Sequence, residues 1–278
     1  MSANQIQRVV QRVGVAAQEW QQREGVPVST DAPILYVGAN GTGVPMRAEE
    51  LKGRRGKQAD GSAKTRQVYL GCVFTEHHRD EQVRPVRDWE STSYVSSFQP
   101  IDPFGRPLRR EALRRGIGTA GKVVLLIDGA TGLEAMGTKC FKDAVQIVDF
   151  YHAMEHGAAV LEALVGKDHP EYKGRLRAWA KRLLKYQAEE LIQQARRQAK
   201  GTSSEPTVEE RLGYFERNLH RIRYVTFRAA GYFIGSGVVE AGCKTVIGGR
   251  CKQSGMRWSK PGAENTLASR NDAINLVA

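Results

Sequence analysis

The chain has 278 residues, 41% of them hydrophobic, which is enough to bury a sizeable core. Lysine and arginine outnumber aspartate and glutamate by 42 to 30, so the net charge is +12 and favours a polyanionic partner. The four cysteines show no CxxC spacing, and no leader-like or ~20-residue apolar run is present. A zinc-ribbon protein and a membrane protein are therefore excluded, and we expect a soluble, cytoplasmic protein.

The first half of the chain combines one helix with short apolar runs that are typical of strands. Apolar spacing predicts a helix over residues 4–24, followed by a linker. The dipeptide Asn40-Gly41 predicts a turn that ends the first strand. The polar segment 53–64 predicts an exposed basic loop, and 108–115 a helix. The predicted strands are 34–39, 68–74, 83–86, 93–97, 123–127 and 145–148.

The second half of the chain changes to a helical pattern from residue 150 onward. One short and one long amphipathic segment come first, the long one over 176–192. After a polar break, Thr207 and Glu210 predict a capping box at the start of another helix. A Gly-Ser-Gly turn then leads into a helix that carries Glu240. The order is therefore strands, a helical block, and a helix that returns to the sheet.

Acidic side chains follow two of the predicted strands. Asp128 ends one strand, and Asp149 ends the next, with His152 three residues further on one helical face. Glu240 flanks the apolar face of its own helix. Each has an ordinary alternative: a turn at Asp128, a helix N-cap at Asp149, and a surface pair of Glu240 with Lys244. Carboxylates at strand ends predict a ligand site at that edge of the sheet.

A basic segment follows the helix that carries Glu240. It contains the residues Arg250, Lys252, Arg257, Trp258 and Lys260. Cations of this kind contact phosphates, and an indole can stack on a base. The alternative is a solvated basic loop with Trp258 packed into the core.

Several short motifs in this order resemble one protein family. The matching segments are 41–46, 64–66, 70–74, 128–130, 146–153, 234–244 and 255–258. Together they resemble the ISKra family of insertion-sequence transposases, which is related more distantly to the Mutator-like group. The resemblance runs from about residue 25 to residue 263.

The resemblance implies an α/β fold with an RNase H-like core, in which a mixed sheet is flanked by helices. It also implies an all-helical insertion before the last catalytic helix. The implied organisation is an N-terminal helix and linker (1–33), the first part of the core (34–149), the helical insertion (150–231), and a return to the core with a basic C-terminal segment (232–278).

The implied activity is metal-dependent DNA cleavage and strand transfer by a DDE-type enzyme. Asp128 and Glu240 match the second and third carboxylates and would be the metal ligands, for Mg²⁺ or Mn²⁺. Asp149 and His152 match a second-rank Asp-x-x-His element of the wider group. The implied partner is DNA, as transposon ends and target, with homodimerisation left open.

The chain departs from the family pattern at the first carboxylate, because position 40 is Asn40. A neutral amide is a poor bridge between two cations, so we expect the metal to bind weakly and cleavage to be severely impaired. The chain also starts close to the first catalytic strand and lacks the usual N-terminal DNA-binding region. We therefore expect a truncated, degenerate copy, and the sequence leaves open whether Asn40 is natural or engineered.

Two other functions stay open at this point. A DNA-binding protein without catalysis fits both the charge and Asn40; its candidate contacts are Arg54, Arg55, Lys57, Arg221, Arg223, Arg228, Arg250, Lys252, Arg257 and Lys260. A zinc metalloprotease is the less favoured alternative, since His152, Glu155 and His156 match the H-x-x-E-H motif.

Overall fold

The computed structural model describes residues 2–56, 58–185 and 187–276, and it shows a six-stranded mixed sheet flanked by helices. The strands are β1 (Ile34–Pro45), β2 (Thr65–Arg79), β3 (Pro85–Arg87), β4 (Ser93–Ser97), β5 (Lys122–Ile127) and β6 (Val145–Val148). The helices are α1 (Ala3–Gln22), α2 (Ile101–Arg114), α3 (Thr131–Cys140), α4 (Phe150–Val165), α5 (Tyr172–Leu183), α6 (Ala188–Ala199), α7 (Glu205–Asn218), α8 (Tyr224–Ala229), α9 (Gly237–Gly242), α10 (Gly249–Cys251) and α11 (Lys260–Asn275).

The strand directions place the carboxyl ends of the parallel strands at one edge of the sheet. The order is β3-β2-β1-β5-β6, and β4 also pairs with β2. β1 runs antiparallel to β2 and parallel to β5, and β5 runs parallel to β6. The carboxyl ends of β5 and β6 therefore lie at the same edge, beside the second half of β1. This arrangement is compatible with an RNase H-like core.

Side chains alternate along a strand, so the sheet presents apolar side chains on both faces. Helices cover each face. On one face, Leu35 and Val37 of β1 belong to a buried cluster with Phe104 of α2 and Met136 of α3. On the other face, Tyr36 belongs to a larger cluster that extends into α4–α9 and α11. The apolar run of β5 is thus a buried central strand, as predicted, whereas β6, predicted to be another, is the last strand in the order of the described sheet and is only partly buried.

The predicted turn at Asn40-Gly41 is wrong, because β1 continues to Pro45. Asn40 pairs with Leu70 and Gly41 with Tyr69 in the antiparallel ladder with β2. Gly41 lies under the side chains of Gln67 and Tyr69, so a larger residue at this position would displace the end of the Gln67 side chain. Long-range pairing therefore overrides the local turn preference of an Asn-Gly pair, and Asn40 lies on the sheet itself.

The helical half differs from the prediction in two places. The segment predicted as one long helix forms α5 and α6, separated by a short break. The predicted capping box is also wrong, since α7 begins at Glu205 with Ser204 as its N-cap, which leaves Thr207 inside the helix. Helix α3, which follows β5, was not predicted from the sequence.

The two ends of the described chain lie against each other. Helix α1 packs along α11, where a side chain at Gly14 would collide with the backbone of Asn265. Gln18 donates a hydrogen bond to the Asn265 side chain at 2.6 Å. Among the described residues, none of the helices combines the length and the apolar character that crossing a bilayer requires.

Candidate functional site

Three polar residues meet at the carboxyl edge of the parallel strands. The pairing of β1 with β5 stops two residues short of both Asn40 and Asp128. The pairing of β5 with β6 stops one residue short of both Asp128 and Asp149. The three positions therefore occupy neighbouring strands at one edge, where ligand sites of open α/β sheets gather.

Asp149 is completely buried and joins two distant segments of the chain. It is the N-cap of α4, where Oδ1 accepts the His152 N–H at 2.8 Å. Its Oδ2 accepts the N–H of Ser236, a residue 87 positions away. Next to it, Phe150 N–H donates to the Ile234 carbonyl at 2.8 Å. The N-cap interpretation is thus confirmed, and the same carboxylate also holds the segment that precedes α9.

The His152 ring lies between two glutamates. Its Nδ1 is 3.2 Å from Oε2 of Glu155, one turn along the same helix. Its Nε2 is 3.9 Å from Oε1 of Glu240, on α9. This Nε2 atom is buried and has no hydrogen-bond partner among the described residues. The ring therefore presents one engaged nitrogen and one free nitrogen to the site.

Glu240 reaches the site because α9 packs closely on the sheet. Val239 is buried against Gly38 of β1, and Gly242 lies against Leu70 and Tyr94. A π-helical turn over Cys243–Gly248 follows, a local widening that is frequent at functional sites. Ser236 Oγ lies 3.3 Å from Glu240 Oε1 and orients the carboxylate at the start of α9.

An open cavity of about 460 Å³ lies in front of these residues. Its polar lining includes Asn40, Thr42, His152, Glu155, Glu240 and Lys252. The Lys252 ammonium donates a hydrogen bond to Thr42 Oγ1, 210 positions away along the chain. A cation thus lines the same cavity as Glu155 and Glu240, where it would favour an anionic group.

Three potential metal ligands lie together at this cavity. Ligand atoms of Asp149, His152 and Glu240 are all within 4.8 Å of one another, the one such group of three or more among the described residues. Asp128 is not a member of the group. The prediction that Asp128 and Glu240 hold the metal stays a prediction.

Asp128 lies in a turn that is held from the helical half. Its Oδ1 accepts the Ala130 N–H at 2.8 Å, and Gly129 adopts a φ of +80°. The Tyr214 hydroxyl of α7 donates to the Asp128 carbonyl at 2.8 Å. Burial, and next the charge of Asp128, raise the pKa of that hydroxyl. The turn expected at Asp128 is present, and its side chain remains partly exposed.

Asn40 gives the site a donor set that does not fit a pair of Mg²⁺ ions. Its amide is neutral, and its Oδ1 already accepts the adjacent Gly41 N–H at 2.6 Å. Two bridged Mg²⁺ ions call for hard anionic oxygens at the bridging position. Asp149, His152 and Glu240 supply two anionic groups and one imidazole, a set that fits one divalent ion.

The basic residues expected to contact DNA are divided between several surfaces. Arg250, Arg257 and Trp258 line an open groove of about 500 Å³. The Trp258 indole packs against the core and donates to the Cys251 carbonyl at 3.1 Å. Lys252 faces the carboxylates instead.

The remaining candidate contacts differ in exposure. Arg54 and Arg55 are exposed on the predicted basic loop, whereas Lys57 lies outside the described residues. Lys260 is partly buried and pairs with Glu264 at 3.3 Å. Arg221 is only 1% exposed and pairs with Glu134 at 2.6 Å, so the interpretation of Arg221 as a DNA contact is wrong.

The H-x-x-E-H motif does not form a three-ligand site. The His156 ring stacks on Tyr214, with ring centroids 3.5 Å apart, and burial lowers its pKa. Among the described residues, no group of three potential ligands contains both His152 and His156.

Sequence reasoning missed two residues that shape the site. Tyr214 and Ser236 act on Asp128 and Asp149 through a hydroxyl and a backbone N–H. Tyr214 carries no motif and is buried like an ordinary core residue. The Gly-Ser-Gly turn around Ser236 was the one available signal, since such turns let a backbone approach a neighbour closely.

Comparison with known proteins does not identify a family for this chain. No protein-family model and no curated protein matches the chain. Among solved structures, the chain is similar to "Drosophila P element transposase strand transfer complex", with 11% identity and a TM-score of 0.32 over 100% of this chain and 73% of that chain. A likeness this weak carries no argument, so we base the function on the geometry of the site.

Proposed function

We propose that the chain is the catalytic core of a DDE-type DNA transposase of the ISKra family, with strand cleavage impaired at Asn40. One observation carries the proposal: Asn40 and Glu240 line the same cavity although they lie far apart in the sequence. Asp128 follows the strand that pairs with β1. Asn40 and Asp128 thus share an edge of the sheet, and Asn40 and Glu240 share a cavity, which supports the three positions expected from the family motifs.

The fold supports an RNase H-like core with an all-helical insertion. An antiparallel β1–β2 pair with further strands beside β2, joined to parallel β5 and β6, matches the order expected of that core. Helices α4–α8 then stand between β6 and the helix of Glu240. We infer that they form the insertion, which would include the Tyr214 contact with Asp128.

The residues of this chain would act on DNA mainly by binding and orientation. The exposed Arg250 and Arg257 line one groove, and Lys252 stands at the carboxylates, so a backbone phosphate could enter the cavity beside them. With an aspartate at position 40, divalent ions held by the three carboxylates would supply the charge that stabilises the attacking and leaving oxygens. With Asn40 in the first position, we expect DNA binding to persist while cleavage is lost.

A nicking assay on supercoiled DNA tests the proposal. The native chain, Asn40→Asp, Asn40→Ala and the double variant Asn40→Asp/Glu240→Gln are compared with Mg²⁺ and with Mn²⁺. We expect Asn40→Asp alone to nick, at least about 100-fold faster than the native chain, the scale on which one electrostatic catalytic group acts. Equal nicking by the native chain and Asn40→Asp, or nicking that survives Glu240→Gln, would overturn it.

A DNA-binding protein without catalysis is the second candidate, favoured by Asn40 and by the exposed arginines. This function requires DNA binding that weakens as the salt concentration rises, and it requires that neither the native chain nor Asn40→Asp nicks DNA. The test is a salt titration of DNA affinity for the native chain and for Arg250→Ala/Arg257→Ala. Lys173→Ala, an exposed cation on α5, serves as the control. A loss specific to the double variant supports the groove as the DNA surface, and an equal loss in the control rejects it.

A further inference from the structure

We propose that Asp149, His152 and Glu240 form a binding site for one divalent transition-metal ion, such as Co²⁺, Mn²⁺ or Zn²⁺, and that the site discriminates against Mg²⁺. The inference goes beyond the proposed function, because it requires neither DNA nor strand cleavage. It also differs from the metal site expected by resemblance, since His152 and Asp149 replace Asp128 as partners of Glu240.

The first line of support is the spacing of the three side chains. One ligand atom from each lies within 4.8 Å of the others. His152 Nε2 and Glu240 Oε1 are 3.9 Å apart, too far for a hydrogen bond and suited to an ion between them. Two ligands bonded to one metal at about 2.0–2.2 Å stand at most about 4.4 Å apart, so His152 and Glu240 are within reach of one ion, and a ligand pair near the 4.8 Å limit would close by a few tenths of an ångström on binding.

The second, independent line is the state of the His152 ring. Its Nδ1 lies 3.2 Å from Glu155 Oε2, a contact that places the hydrogen of the neutral ring on Nδ1. The lone pair is then on Nε2, a buried atom without a hydrogen-bond partner in the described structure. A carboxylate behind the distal nitrogen of a metal-ligating histidine is the usual supporting contact for such ligands. Glu155 therefore prepares Nε2 to bind a metal.

Asp149 is buried and hydrogen-bonded, so as a metal ligand it would be held in place before the ion binds. Its oxygens each accept one backbone N–H, from His152 and from Ser236. A carboxylate oxygen can accept more than one interaction, and metal-ligating carboxylates are commonly hydrogen-bonded in this way. The two contacts also bring the segments of His152 and Glu240 together. Asp149 would therefore both bind the ion and position the other two ligands.

The nature of the ligands decides which ions fit. Mg²⁺ prefers an octahedral set of oxygens and keeps several waters, whereas imidazole suits transition metals. The group supplies one nitrogen and two anionic oxygens, and it borders the open cavity that Asn40 and Thr42 line. Coordination positions on that side would be left for water or an anionic group. The nearby Lys252 would favour an anion.

The test is a metal titration of the metal-free full chain, without an affinity tag that contains histidine. We expect one Co²⁺ per chain, with visible absorption bands of a nitrogen- and oxygen-ligated ion, and no displacement by a roughly tenfold excess of Mg²⁺. His152→Ala should weaken Co²⁺ binding by at least about 100-fold, and Glu155→Gln by about 10- to 100-fold. His169→Ala, an exposed histidine outside the site, should leave binding unchanged.

The outcomes separate this inference from the proposed function, because no DNA is present in the experiment. Binding that Mg²⁺ displaces at equal concentration, or that His152→Ala leaves intact, overturns the site. If His152→Ala fails to fold, the NMR spectrum of the native chain with Co²⁺ decides: a shifted, exchangeable imidazole N–H signal supports the site, and its absence rejects it.

Discussion

Two aspartates follow neighbouring strands, Asp128 after β5 and Asp149 after β6, yet the structure uses them in different ways. Asp128 stays partly exposed in a turn, and the main contact from the helical half is made to its backbone carbonyl. Asp149 is completely buried, and its side chain accepts the backbone N–H of His152 and that of Ser236, which lies 87 positions away from Asp149. The same local pattern thus yields a partly exposed carboxylate at Asp128 and a buried carboxylate at Asp149 that joins two segments.

The difference shows that a strand-end carboxylate takes its role from what packs over it. Helix α4 begins directly at Asp149, and the segment before α9 crosses it, so water is excluded there. At Asp128 the Tyr214 hydroxyl contacts the backbone carbonyl, and the carboxylate accepts only the local Ala130 N–H among the hydrogen bonds of the described residues and stays partly exposed. Stability and ligand binding should therefore respond differently to substitutions at the two positions.

The largest expected effect is on the free energy of unfolding after Asp149→Ala. The substitution leaves the N–H groups of His152 and Ser236 buried without acceptors, so we expect a loss of about 3 kcal/mol. Asp128→Ala, the matched change at the neighbouring strand, should cost about 1 kcal/mol or less. Urea unfolding without metal measures both. Equal losses would show that the two aspartates are not distinct.

A smaller effect is expected from Tyr214→Phe. Loss of the hydroxyl leaves the Asp128 carbonyl without its donor, so stability should fall by about 1 kcal/mol. Tyr172→Phe is the control, because that hydroxyl reaches the Ala158 carbonyl only at 3.4 Å. Urea unfolding measures both variants, and nicking by Asn40→Asp with and without Tyr214→Phe tests whether the contact positions Asp128. A larger loss in the control would contradict this role.

The smallest effect concerns pH and the His156 ring that stacks on Tyr214. Burial lowers the pKa of His156 below its ordinary value of 6.5, so the unfolded chain takes up the proton first. The stability that neutral His156 contributes is therefore present above about pH 6.5 and is lost as the pH falls through the folded value. We expect His156→Gln to flatten the decline in unfolding free energy between pH 7.5 and 5. If His156→Gln leaves the pH dependence of the unfolding free energy unchanged, His156 is not the source of the decline.

Local sequence carried enough information for several parts of the molecule. The apolar run before Asp128 predicted β5, because a strand buried on both faces is largely hydrophobic, and the shorter run before Asp149 predicted β6. The N-cap at Asp149 followed from the same segment. The motifs at Asn40, Asp128 and Glu240 named candidate residues, and their catalytic roles are proposals.

Other features depended on contacts between distant segments. Asn-Gly reads as a turn in isolation, but pairing with β2 extends β1 through Asn40, since a ladder of hydrogen bonds outweighs a local preference. The group of Asp149, His152 and Glu240 exists only because α9 packs back onto β1 after the intervening helices. Periodicity reports which face of an element is buried. The partner that covers that face is decided by packing across the whole chain, and here that packing determines which carboxylates can share an ion.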